Sequence, residues 1–218
     1  MRLPFSTGEF LRVFATYNRS VWPAQLVLYA LGLALAITIK LRPMGSRMFV
    51  SIGLSLLWAW MGVVYHLVFF RQINVTATAF GITFILQAAL FLLWGHQHPA
   101  MPSTPIESKR YLAGGVLLGY AFIVYPLLNR LFGHGYPESP TFGAPCPTTI
   151  ATLGLLIWVR RCPPAWLLIV PLGWVVVGTS AVFVFGMWED LGLLASGIVA
   201  ALLLLRHIPE RPEPLHVK

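Results

Sequence analysis

The run Met48-Phe-Val-Ser-Ile-Gly-Leu-Ser-Leu-Leu-Trp58-Ala-Trp-Met-Gly62-Val-Val-Tyr-His66-Leu-Val-Phe-Phe70 carries no charged residue between Arg47 and Arg71. An apolar helix of about 20 residues, rising 1.5 Å per residue, crosses a hydrocarbon core of about 30 Å, so this stretch predicts a transmembrane helix. Six further apolar runs, bounded by charge or by Pro and Gly, surround it: 21–39, 76–94, 111–132, 147–159, 166–187 and 191–205. The composition agrees, with 57% of residues in the apolar and aromatic set, 10% charged, and a mean hydropathy of +0.76. Ordinary soluble domains carry about a quarter of their residues as charge, and one core at this chain length could not bury so much apolar surface. Soluble globular, disordered, collagen-like and disulfide-scaffold classes are excluded. The expected fold is all-α, a polytopic membrane bundle of seven transmembrane helices. Because 147–159 is short, the alternative is six spans plus a re-entrant segment.

Orientation follows from the basic residues. Arg2, Arg12, Arg19, Arg71 and Arg130 fall on one side of a seven-span arrangement. The other side collects Lys40, Arg42, Arg47, Lys109, Arg110, Arg160, Arg161, Arg206, Arg211 and Lys218. The excess places the N-terminus outside and the C-terminus in the cytoplasm. It also accounts for the net charge of +8 without invoking nucleic acid, for which the chain offers no hydrophilic domain. No cleaved signal peptide is expected, because no short apolar region is followed by a small-residue cleavage site.

Three regions are expected. Residues 1–20 form an interfacial amphipathic helix, since Ser6-Thr-Gly-Glu9 has the form of a capping box and Phe10, Phe14 and Tyr17 repeat at helical spacing. These aromatics are assigned to the headgroup layer, and Trp22-Pro23 to the turn into the bilayer. Residues 21–205 form the bundle, with helix contacts expected through Gly115 and Gly119, and through Gly192, Ser196 and Ala200. Residues 206–218, with Pro209, Pro212 and Pro214, form a disordered cytoplasmic tail.

Most of the unusual polar residues fall on the outer side. His66 lies about one turn before Arg71, and Asn74 follows in the adjoining loop. The longest outer loop, residues 133–147, supplies His134, Glu138 and Cys146, and its Pro and Gly density predicts a stiff, structured loop. Glu189 and Asp190 occupy a tight connection before the last span. Polar groups at membrane depth are costly unless they pair or line a cavity, so the clustering predicts a pocket. Ligand-binding residues are then His66, Arg71, Asn74, Glu138, Cys146, Glu189 and Asp190, and the metal set is His66, His134 and Cys146. Each has a plainer reading. Glu189 and Asp190 fit the N-terminus of the last helix as caps, and His66 fits a single hydrogen bond across helices. Cys146 stands at a helix N-terminus, a setting that favours reactivity or metal affinity, but as a lone thiol. His96-Gln-His98 reads as solvated loop.

Several chemistries are not signalled. There is no second in-span His for a bis-histidine haem, no Gly-x-Ser-x-Gly elbow, no phosphate-binding glycine loop and no Cys-x-x-Cys. The last span has no Lys for a retinal Schiff base, and no in-span carboxylate serves an ion-driven antiporter. The sequence leaves the cofactor unknown.

Leu3-Pro-Phe5, Phe14, Tyr17-Asn18, Trp22-Pro23-Ala24-Gln25, the Trp58 to Phe70 stretch, Gly135-Tyr-Pro-Glu-Ser-Pro140, Cys146-Pro-Thr-Thr149 and Glu189-Asp-Leu-Gly-Leu193 together resemble an uncharacterised bacterial family of small multi-pass membrane proteins. The resemblance implies a bacterial inner-membrane location and brings no activity with it. The leading functional expectation is an outer-side polar pocket that binds a small molecule or metal ion for transport or sensing. Its alternatives are a membrane-embedded enzyme acting on a lipid or small apolar substrate, and a non-catalytic partner subunit of a membrane complex. The expected partners are the lipid bilayer, the pocket's ligand and, as an open option, a second copy of the chain in a homo-oligomer.

Overall fold

The computed structural model describes residues 5–41, 46–97, 106–160 and 162–205; the expected tail at 206–218 and His98 lie outside them. The described residues are helical with no strand. Helix α1 (Thr7–Val21) precedes α2 (Ala24–Leu41) and α3 (Ser46–Trp60), which continues through a π-helical stretch, Met61–Phe69, into a 3-10 turn, Phe70–Gln72. Then come α4 (Ala77–Gln97), α5 (Ser108–Gly119), a second π-helical stretch Tyr120–Val124, α6 (Tyr125–Leu131), α7 (Pro145–Trp158), α8 (Ile169–Phe185) and α9 (Leu191–Leu204).

Among the described residues five helical stretches are long and apolar enough to cross a membrane: Ala24–Leu41, Arg47–Gln72, Ala77–Gln97, Ser108–Leu131 and Ala165–Phe185. The two remaining segments, α7 and α9, are the ones whose apolar runs fall short in the sequence. With 14 residues, α7 is about 21 Å long. It needs no lipid match, because every residue from Pro147 to Ile157 is buried and it forms the centre of the bundle. Its last turn is closed by protein: Arg110 Nη2, at the start of α5, donates to the Val159 carbonyl at 2.8 Å. A buried cation at a helix C-terminus supplies both the missing hydrogen bond and the favourable dipole interaction.

Around α7 the helices approach one another through small residues. A Cβ at Gly114 would meet the Gly154 carbonyl oxygen at 2.8 Å and the Trp158 ring, so α5 and α7 touch backbone to backbone. Gly62 and Gly81 do the same between the π-helical end of α3 and α4. Gly192 lets the Tyr120 ring lie flat on α9, and Ser196 and Ala200 are buried on the same face. The expected Gly115 and Gly119 face is corrected: Gly119 has nothing nearby, and the close contact belongs to Gly114 one position earlier. Leu33, Ile37, Leu86, Val116, Val176 and Ile198 point outward and remain exposed, the apolar belt that a lipid-facing surface requires.

The bundle therefore has two ends. One holds Leu41, Ser46, Gln97, Ser108 and Val159; the other holds α1, the 72–77 turn, the 132–144 loop and Gly186–Asp190. The 133–147 loop is structured, as its composition predicts. Asn18 Nδ2 donates to the carbonyls of Pro137 at 2.7 Å and Ser139 at 2.8 Å, and Gln25 Nε2 and Thr141 Oγ1 both donate to Asn18 Oδ1. Asn129 Nδ2 holds the Pro140 carbonyl from the other side at 3.1 Å. Gly143 closes the loop with φ +98°, and its N–H donates to Thr148 Oγ1 in the first turn of α7. No Cβ would fit there, with Leu28 and the Tyr17 hydroxyl against it.

Helix α1 carries the expected capping box. Glu9 N–H donates to Ser6 Oγ at 3.3 Å, and Ser6 N–H donates to the Glu9 carboxylate at 2.8 Å, which holds that carboxyl below its ordinary value. Its aromatics pack on the rest of the protein. Phe10, Phe14 and Tyr17 are buried; Phe10 stacks on Phe185 and Phe14 on Tyr65, while Phe10 meets Phe70 and Tyr17 meets Phe69 edge-on. The apolar stripe packs on protein because the C-terminal ends of the α3 stretch and of α8 present rings of their own there.

Candidate functional site

A cavity of about 380 Å³ opens at the α1 end of the bundle. Phe5, Phe10 and Phe14 close it on one side and Phe185, Val184 and Ala181 of α8 on another. Tyr65, Phe70 and Phe80 form a third wall, while Asn74, Thr76 and Ser180 are among its few polar linings. Trp174 and Cys146 also line it, with Gly178 packed against both: a Cβ on Gly178 would lie 2.7 Å from Leu193 Cδ2, 3.2 Å from Trp174 Nε1 and 3.4 Å from Cys146 Sγ.

Chain order builds this site from elements that depart from regular α-helix. The π-helical stretch Met61–Phe69 widens the turn that carries Tyr65 and His66, and such widened turns recur at functional sites. Pro145 and Pro147 start α7 at the end of the pinned loop and hold Cys146 at the cavity wall. Gly186, with φ +74°, ends α8 in a left-handed cap and turns the chain into the buried 3-10 turn Trp188–Asp190.

Behind Cys146 lies the acidic pair. Asp190 is buried, and Tyr125 donates its hydroxyl to Asp190 Oδ1 at 2.7 Å, with the Cys146 side chain on the same carboxyl. Burial pushes the Asp190 carboxyl up to about 7, and the neighbouring Glu189 adds to the rise, against the lowering effect of the Tyr125 and Cys146 contacts. Glu189 is fully buried, and neither carboxyl oxygen has a hydrogen-bond partner; burial raises its value as well. The Glu189 backbone carbonyl accepts from Tyr120 at 2.6 Å. The capping reading does not describe these residues. Asp190 occupies the N-cap position of α9, yet its side chain makes no cap hydrogen bond and turns to Tyr125 instead.

His66 is fully buried with both ring nitrogens unpartnered, so it makes no hydrogen bond across helices. Rings enclose it: Phe84 at 4.7 Å, Trp174 at 5.2 Å and Phe80 at 5.9 Å between centroids. It sits one ring behind the cavity wall. Of the expected ligand-binding residues, Cys146 and Asn74 line the cavity, His66, Glu189 and Asp190 lie buried near its floor or behind Cys146, and Arg71 and Glu138 stand exposed and do not line it. His134 is half-buried on the loop. Among the described residues no three His, Cys, Asp or Glu side chains are grouped to hold a metal ion, so His66, His134 and Cys146 are not gathered as a ligand set. Cys146 and Cys162 are both free thiols.

Two features escape the sequence. Trp174 reads there as one more apolar span residue, and Tyr120 and Tyr125 likewise. The signal for the tyrosines is general: a buried phenol needs a partner, and two of them one turn apart in an apolar span point to buried acceptors.

These features define an all-helical protein with five membrane-length apolar helices and an aromatic cavity at one end of the bundle. The chain belongs to a family of unknown function, DUF6064, whose sequence model covers residues 7–211. No curated protein and no solved structure matches it.

Proposed function

We propose that this chain is an inner-membrane protein of seven membrane segments, N-terminus outside and C-terminus cytoplasmic, whose outer cavity binds an apolar small molecule for transport or sensing. The observation that carries the reading is the lining of that cavity: seven aromatic side chains and Trp174 around a volume fit for a small organic molecule, with polar groups confined to the rim and floor. Ligand pockets have this balance of apolar walls and few polar groups. The polar or metal-binding pocket expected from the sequence gives way here to an apolar one with a polar base. Native mass spectrometry of the gently purified protein tests it. An apolar adduct retained by the wild type and lost in Val177→Trp, a rim substitution that fills the cavity, supports the reading; a bare protein, or an adduct indifferent to that substitution, contradicts it.

One observation favours a second reading, a membrane-embedded enzyme on an apolar substrate. Cys146 stands on the cavity wall with Asp190 behind it, a nucleophile beside a group that can hold a proton. Conversion of a retained compound by the wild type, abolished in Cys146→Ser with binding intact, is the outcome that reading requires.

A further inference from the structure

The lining of the cavity sorts by exposure. Toward the end of the bundle, α1 and the 132–144 loop close it with buried side chains, Phe10 and Phe14 from the one and Pro140 and Ala144 from the other. The exposed lining residues lie elsewhere: Val177, Ser180 and Val184 on α8, and Thr76 in the turn that leads into α4. Positions 177, 180 and 184 share one face of a helix, and a side chain that both lines a cavity and reaches the outside stands at its mouth. Among the described residues the mouth is therefore a slot between α8 and the start of α4, about 10 Å long at 1.5 Å per residue. It opens on the flank of the bundle, where the exposed Val176 and Phe183 of the same helix stand beside it. The slot falls in the C-terminal half of the membrane-length stretch Ala165–Phe185. In the proposed membrane placement it faces the hydrocarbon of the outer leaflet.

We propose that the cavity houses one acyl chain of an outer-leaflet phospholipid, which enters sideways through the α4–α8 slot while its head stays at the rim. This rests on the proposed apolar ligand site and names its occupant and its route. A volume of about 380 Å³ stands at the small end of ligand pockets, which run from about 300 to 1,000 Å³, and suits a single chain but not a whole lipid. The polar rim fits the part of the lipid next to the chain. Asn74, Thr76 and Ser180 are uncharged, as a glycerol ester is, and no Asp, Glu, Lys or Arg lines the cavity. A free fatty acid would bring a carboxylate to that level with no counter-charge among the lining residues.

Photo-crosslinking tests the route. The full chain is placed in nanodiscs containing a fraction of phosphatidylcholine with a diazirine in the middle of one acyl chain, irradiated, digested and mapped by mass spectrometry. Adducts are expected on Phe14, Tyr65 or Cys146 inside the cavity as well as on the outward-facing Val116 and Ile198. Ser180→Trp, which fills the slot from its exposed edge, is expected to lower the cavity adducts about tenfold relative to the outward-facing ones. Val176→Trp adds the same bulk beside the slot and is expected to leave that ratio unchanged. Wild-type adducts confined to the outward-facing residues, or a ratio that Ser180→Trp leaves unchanged, overturn the inference. So does labelling of the cavity by a free fatty acid with the same diazirine chain but not by the phospholipid. Heptanophenone, a small apolar ketone delivered from water and titrated by native mass spectrometry, separates the two levels. If it binds the wild type and is lost in Val177→Trp while no phospholipid chain reaches the cavity, the apolar site stands and the lipid inference fails. If neither the ketone nor the chain occupies the cavity, both fail.

Discussion

The two ends of this bundle differ in how they hold buried polar groups. At the closed end, which holds Gln97, Ser108 and Val159, the long polar side chains each make at least one contact. Arg110 donates to the Val159 carbonyl, Gln87 Nε2 donates to the Leu167 carbonyl at 3.0 Å, and the Arg47 guanidinium stands 5.0 Å over the Trp94 ring. At the α1 end, both His66 ring nitrogens and both Glu189 carboxyl oxygens are buried with no hydrogen bond, near a cavity, while Trp174 has only the Cys146 side chain for a partner. Unpaired atoms occur at the first end too, at Gln87 Oε1 and Trp94 Nε1, but there the same side chains keep another contact, Gln87 through its Nε2 and Trp94 under the Arg47 guanidinium. The difference is that the α1 end buries an imidazole and a carboxyl whose polar atoms have no hydrogen bond at all, an uncommon state in folded proteins.

The largest effect that would break this contrast is at the closed end. Arg110→Met leaves the Val159 carbonyl unpaired in the bundle interior and is expected to cost about 3 kcal/mol, read as a lower unfolding midpoint in detergent. A loss below about 1 kcal/mol would mean that α7 does not need its terminal partner.

Asp190 gives the next effect, through pH. Its folded carboxyl holds its proton more tightly than the unfolded chain does, with a value of about 7 against an ordinary 3.8. Its contribution to stability is therefore fully present below the ordinary value and lost as pH rises through about 7. Wild-type stability is expected to fall by about 2 kcal/mol between pH 5 and pH 8, and Asp190→Asn, which keeps an acceptor for Tyr125, to flatten that slope. An unchanged slope in Asp190→Asn would assign the pH dependence elsewhere.

Ser6→Ala removes one arm of the capping box and is expected to cost α1 about 1 kcal/mol, loosening the cavity wall made by Phe10 and Phe14. The smallest effect is the most informative about the unpaired end. His66→Phe replaces an unpartnered imidazole among rings with another ring, and is expected to leave stability within about 0.5 kcal/mol or raise it slightly. A loss of about 2 kcal/mol would reveal a hydrogen bond to His66 and contradict the contrast.

What was legible in the sequence was the hydrophobic pattern. The seven apolar runs match α2 through α9 to within a few residues at each end, because charge and proline bound a lipid-facing helix in sequence as they do in space. The capping box and the stiff 133–147 loop were legible for the same local reason. The direction of α1's aromatic stripe was not, since a stripe facing lipid and a stripe facing Tyr65, Phe70 and Phe185 look alike along the chain. The site was half legible. Cys146 and the Glu189–Asp190 pair stand out as polar residues in apolar surroundings. Trp174 does not, because the rings it packs against, His66, Phe80 and Phe84, come from two other helices and meet it only in space.

Protection of Cys146 tests the central claim most directly, since its thiol lies on the cavity wall. In a Cys162→Ser background the rate of alkylation by N-ethylmaleimide is measured in nanodiscs with and without heptanophenone. The account predicts at least a fivefold slowing that saturates with ligand, follows its titrated affinity, and disappears in Val177→Trp. An alkylation rate that the ligand leaves unchanged, at concentrations where binding is complete, would place the ligand elsewhere and contradict it.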